Sequence, residues 1–130
     1  MDDKSDIRIV SAGGAVVVEF TASNVSDLDG IAQAARMLKT FVDEHRPGKV
    51  VFDFDRVSFF SSQVLGLILE TRTKLLNWEG LVSICNTNSQ LQRVFKITNL
   101  DKIFEFFPDR QSALQPAPSE RLTDNIERAG

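Results

Sequence analysis

The sequence predicts an α/β fold: a mixed sheet built from an N-terminal antiparallel hairpin and parallel βαβ units, with helices packed on it. Three observations lead there. Two β-favouring runs flank a Gly-Gly pair near the start. A strand-length apolar run is followed by a long segment of helical hydrophobic spacing and then by a second apolar run. Stretches of helical and strand-like periodicity go on alternating through the rest of the chain.

Each element has its own warrant in the residues. Ile7 to Ala12 and Ala15 to Thr21 are the two runs of the hairpin, and Gly13-Gly14 supplies the positive φ angles that a two-residue turn requires. Ser26-Asp27-Leu28-Asp29 offers an N-cap hydroxyl with a carboxylate three residues on. Ile31, Ala34, Ala35, Leu38, Phe41 and Val42 then fall at helical spacing until Pro47-Gly48. Lys49 to Phe54 carries Val50, Val51, Phe52 and Phe54, the pattern of a central strand covered on both faces.

After the apolar stretch Val57 to Phe60, a helix is predicted from Ser62 to Trp78, with Val64, Leu65, Leu67, Ile68, Leu69, Leu75 and Leu76 on its broad apolar side. Leu81 to Cys85 is again of strand length, so strand, helix and strand form a βαβ unit with a right-handed crossover expected. Thr87 to Gln90 caps a third helix running to Ile97. Ile103 to Phe107 is the last strand candidate, and Pro108-Asp109 opens a final helical turn to Leu114. One domain is expected over residues 1–114. Residues 115–130, rich in Pro, Ser and polar groups, are expected to form a disordered tail.

Composition narrows the function. The chain of 130 residues with 42% hydrophobic content can build one modest core. A net charge of -3 with scattered basic residues argues against a nucleic-acid partner. One Cys and one His cannot assemble a zinc site of the usual composition. The start, Met1-Asp2-Asp3-Lys4-Ser5-Asp6, lacks the basic and then apolar character of a signal peptide, and no apolar run approaches a membrane span. The expectation is a soluble cytoplasmic domain without a membrane role.

The equipment of most enzymes is missing. Neither GxxxxGK[ST] nor GxGxxG occurs. His45 sits near a helix end beside Glu44 and Arg46 and is read as a solvated terminal residue. Asp53 and Asp55 alternate and would share one face of the strand, an arrangement that paired acid/base carboxylates can take but that more often belongs to strand-end and loop carboxylates. Cys85 reads as a small buried hydrophobe. Ser61-Ser62 is the informative place, because a central strand has ended there and a helix begins. A hydroxyl at that point is an N-cap, and it is also a point where phosphate would be stabilised by unpaired N–H groups and the helix dipole.

The segment Val50-Val51-Phe52-Asp53-Phe54-Asp55-Arg56-Val57-Ser58-Phe59-Phe60-Ser61-Ser62-Gln63-Val64-Leu65-Gly66-Leu67-Ile68-Leu69 resembles the core of the STAS domain of bacterial anti-sigma factor antagonists. The pattern there is an apolar strand, D-L, S-F-x-D-S-S-G-L-G and an apolar helix. Leu91 to Phe104 resembles the second helix and final strand of the same family, and the element order agrees over about Ile7 to Leu114. By position the acceptor serine of D-S-S-G falls on Ser62. The preceding acidic residue is replaced by Ser61, the second serine by Gln63 and the first glycine by Val64, whereas Leu65 and Gly66 match.

The resemblance implies a regulatory binding protein, not an enzyme, with no cofactor. Its partner would be an anti-sigma factor serine kinase, bound when Ser62 is unmodified and expelled when Ser62, or as runner-up Ser61, is phosphorylated. A PP2C-type phosphatase would reverse the change. The implied docking surface comprises Phe59, Phe60, Ser61, Ser62 and Gln63, with Ser23, Asn24 and Ser26 from the Thr21 to Asp27 segment. A STAS scaffold or sensor that is never phosphorylated, acting by protein or small-ligand binding, is the alternative.

Overall fold

The computed structural model describes residues 7–26 and 28–115, excepting the side chain of Leu28. The expected tail from residue 116 onward, Asp27 of the expected cap and the first six residues lie outside the described residues.

Strands β1 (Ile7–Ala12) and β2 (Ala15–Phe20) form the expected antiparallel hairpin, with Gly13 at φ +66° in its turn. The short strand β3 (Asn24–Val25) precedes helix α1 (Leu28–His45). Strand β4 (Lys49–Asp53), the two-residue β5 (Phe59–Phe60) and helix α2 (Ser62–Leu75) follow, and a 3-10 turn extends α2 to Trp78. Then come β6 (Leu81–Cys85), α3 (Ser89–Ile97), β7 (Glu105–Phe107) and α4 (Arg110–Ala113).

The main sheet has the order β1-β2-β4-β6-β7, antiparallel only between β1 and β2. Strand β4 is central, and Val50, Val51 and Phe52 are fully buried, as its unbroken apolar run required. Alternation along the strands divides their side chains between two faces. Val16, Val18, Phe20, Val50, Phe52, Phe54, Val82 and Ile84 join the large core that also takes in Ile31, Ala34, Leu38 and Val42 of α1, Val64, Ile68 and Leu75 of α2, and Leu91 and Phe95 of α3. Phenylalanine rings organise its upper part: Phe54 touches Phe20, Phe60 and Phe95, and Phe95 also meets Phe60 and Phe106 edge-on. On the rear face, Val17, Val51 and Cys85 pack against Ala113 of α4.

Three expectations need correction. The last strand begins at Glu105 and not at Ile103, because Asn99 in the left-handed region starts a 3-10 turn over Leu100–Lys102 that Ile103 continues through its N–H to the Leu100 carbonyl. Phe104 turns into the core instead of lying in the sheet. Val57 to Phe60 also contains a strand, β5, which pairs in parallel with β3 to make a second, two-stranded sheet.

Candidate functional site

The C-terminal end of β4 leads into a loop over residues 54–58, then β5, then α2. Pairing of β5 with β3 brings Asn24 opposite Phe59 and Val25 opposite Phe60. The Ser23 carbonyl accepts from the N–H groups of Ser58 (2.8 Å) and Phe59 (3.2 Å), and the Val25 carbonyl accepts from Ser61 N–H (3.0 Å). Ser23 Oγ donates to Ser58 Oγ at 3.0 Å. The segment before α1 is thereby fixed beside the start of α2. Asn88, which caps α3 by accepting from Leu91 N–H at 2.8 Å, donates its Nδ2 to the Val57 carbonyl at 3.3 Å. The loop is thus tied on both sides.

On this platform Ser62 is the first residue of α2 and is exposed, as are Gln63, Asn24, Ser23 and Ser26. No acidic residue occupies the first turn of α2, so no carboxylate within that turn offsets the positive end of its dipole. Ser61 holds the N-cap position with extended backbone, but its side chain makes no cap bond and its Oγ is buried without a hydrogen-bond partner. The capping hydroxyl expected from the sequence is therefore in place but unused. Phe59 is 49% exposed and Phe60 only 5%. Phe60 is a core residue, its ring tilted against Phe54 and edge-on to Phe95, which corrects its assignment to the docking surface: β-pleat alternation sends one ring out and the other in.

The carboxylates resolve differently from a catalytic pair. Asp53 ends β4 and is buried on the rear face, whereas Asp55 lies beyond the strand in an exposed turn, so the two do not share a face of β4. Asp53 Oδ1 accepts from Asp55 N–H (3.0 Å) and Asn86 Nδ2 (2.9 Å); Oδ2 accepts from Arg110 Nε (2.9 Å). Arg110 also pairs with Glu19, whose carboxyl is held below its ordinary value by Arg110 and Arg8. This chain of charges crosses the sheet in register, Arg8 opposite Glu19 and Glu19 opposite Asp53, with Arg110 reaching in from α4. Sequence reading passed over it because Arg110 is 57 residues from Asp53 in the chain. The only advance signal was two charged residues in otherwise apolar strands.

Cys85 is buried, and burial pushes its thiol up to about 12, so it is no nucleophile at neutral pH. His45 is exposed at the end of α1, its ring stacked on Phe41 with Nδ1 3.0 Å from the Phe41 carbonyl. Among the described residues no group of three or more His, Cys, Asp or Glu side chains lies together to hold a metal, and no helix is long and apolar enough to cross a membrane. What the arrangement offers is a surface: an exposed hydroxyl at a helix N-terminus whose own first turn carries no acidic residue, beside a half-exposed aromatic ring.

The family model for the STAS domain matches residues 6–113. Similar solved structures share this fold at low identity. An anti-sigma-factor antagonist (STAS) domain protein from Planctomyces limnophilus is 21% identical, with a TM-score of 0.75 over 85% of this chain and 95% of that one. An anti-sigma factor antagonist from Mycobacterium paratuberculosis is 23% identical, with a TM-score of 0.72 over 83% and 89%. The Bacillus cell fate determinant SpoIIAA in its phosphorylated form is 18% identical, with a TM-score of 0.62 over 92% and 98%.

Proposed function

The chain belongs to the STAS domain family, and from that premise we propose that it is an anti-sigma factor antagonist switched by reversible phosphorylation of Ser62. In this reading it is a regulatory binding protein of the cytoplasm and not an enzyme. Its partners are an anti-sigma serine kinase and a PP2C-type phosphatase. The unmodified protein docks the kinase through Phe59, Ser62, Gln63 and the neighbouring Ser23, Asn24 and Ser26.

The observation that carries the reading is the position of Ser62: exposed, at the first residue of a helix with no acidic group in its first turn, next to an exposed aromatic ring. Phosphate there adds about -1.5 to -2 charges, which the protein's own helix end tolerates. The same charge buried against a partner's apolar or acidic groups is not tolerated, and the partner leaves. Ser62 is preferred to Ser61 as acceptor because the Ser61 hydroxyl is buried.

A scaffold or sensor that is not phosphorylated is the second reading. It is favoured by one specific observation, the replacement of D-S-S-G by Ser61-Ser62-Gln63-Val64.

Phosphopeptide mapping of the protein from its own cells, in growth and under stress, separates the two. The switch requires phosphate on Ser62 that varies with condition. Titration against the captured kinase is then expected to show Ser62→Asp binding at least about tenfold more weakly, and Ser62→Ala binding normally but insensitive to ATP. Wild-type affinity in Ser62→Asp, or no phosphate across conditions, refutes the switch at this residue.

A further inference from the structure

We propose that α4 is a latched strap over the rear face of the sheet, and that the latch, the Arg110–Asp53 pair, also sets the two loops that build the surface around Phe59 and Ser62. Helix α4 has four residues, too few to be stable without tertiary support. Its hold on the sheet is local. Ala113 packs on Val17, Val51 and Cys85, Lys49 Nζ donates to the carbonyls of Ala113 and Gln115 (2.8 Å each), and Arg110 pairs with Glu19 and Asp53.

Asp53 is the shared element. While Arg110 holds Oδ2, Oδ1 accepts from Asp55 N–H, which starts the loop to β5, and from Asn86 Nδ2, which starts the loop to α3. That second loop carries Asn88, whose Nδ2 reaches back to the Val57 carbonyl. The Asp53 side chain is 5% exposed. With α4 lifted, the Asp53 carboxylate loses the cation that holds Oδ2 and is free to turn toward water. Turning releases Asp55 and Asn86 together. Docked and lifted α4 are then two states of one device, and the loops follow. The lifting concerns the fold alone; only its regulatory meaning rests on the proposed switch, so the two can fail separately.

Cys85 is the sole cysteine of the chain and is sealed beneath Ala113, which makes its thiol a reporter of lifting. The test uses the full chain, unphosphorylated, at pH 8 with an aromatic disulfide reagent, together with amide hydrogen exchange. In the wild type, Cys85 labelling is expected to depend on urea much less steeply than global unfolding does, the mark of a local opening. Arg110→Ala is expected to raise labelling at least about tenfold and Arg110→Lys less, because lysine keeps the charge but not the two-pronged geometry. Exchange at the Asp55 amide is expected to rise in parallel, and exchange at Val51, inside β4, to stay unchanged.

Labelling that follows the global urea slope overturns the strap. Faster labelling with an unchanged Asp55 amide overturns the coupling. A uniform rise that includes Val51 reports general destabilisation and overturns both.

Discussion

Replacement of Ser62 by aspartate is expected to stabilise the isolated domain slightly, and the sign of that small effect tests the geometry on which the switch rests. Ser62 is the first residue of α2, and the first turn holds no carboxylate. An acidic side chain there meets the positive end of the dipole, worth about 0.3–1 kcal/mol at an exposed position and low ionic strength. For a domain of this size the unfolding entropy near the midpoint is about 0.2 kcal/mol/K, so Tm should rise by about 1.5–5 °C. Ser62→Lys should lower it by a similar amount. Added salt should shrink both shifts as the Debye length falls from about 30 Å at 0.01 M to about 3 Å at 1 M. Differential scanning calorimetry at pH 7 and low ionic strength reads all of this directly. The reasoning is refuted if Asp and Lys move Tm in the same direction, or if Ser62→Asp destabilises by more than about 1 kcal/mol, a loss too large for an exposed first-turn position. Confirmation of the sign would also remove misfolding as an explanation for any loss of partner binding in that variant.

Two further outcomes follow from the packing and the charges. Phe95→Ala should reduce the unfolding free energy by about 3–5 kcal/mol, because a fully buried ring in contact with Phe54, Phe60 and Phe106 is deleted; urea denaturation with a loss below about 1.5 kcal/mol would show that the aromatic cluster repacks. The Glu19 carboxyl is held below its ordinary 4.5, first by Arg110 and also by Arg8. The stability it contributes is therefore present above the unfolded value and lost as pH falls through the lower folded value. Glu19→Gln should cost about 1 kcal/mol or less at pH 7, and the gap from wild type should close below about pH 4.5 in urea titrations at stepped pH. A gap that widens on acidification contradicts the pairing.

Much of the fold was legible because the hydrophobic pattern has the period of each element. The hairpin boundaries at Ile7–Ala12 and Ala15 follow from strand alternation interrupted by a glycine pair that permits positive φ. The β4–α2–β6 unit follows from an unbroken apolar run, a 3.6-residue repeat and a second run. What failed was short or strained. Strand β5 has two residues and exists only because β3 pairs with it from 35 positions away. The left-handed Asn99 bends the chain just where β-favouring residues would have started β7 two positions early.

The candidate site divides along the same line. By itself the sequence determined that a serine pair stands between a central strand and a helix, that Phe59 and Phe60 adjoin it, and that no metal set of the usual Cys/His composition can form from one Cys and one His. Local periodicity and composition carry that much, since both are written in neighbouring residues. Only the tertiary structure decided that Ser62 faces outward while the Ser61 hydroxyl is buried, that Phe59 is exposed and Phe60 is core, and that Asp53 is paired across the sheet with Arg110 and not with Asp55. The physical reason is common to all three. Side-chain exposure and charge pairing are set by what folds over a position from elsewhere in the chain, and contacts that distant leave no period in the sequence.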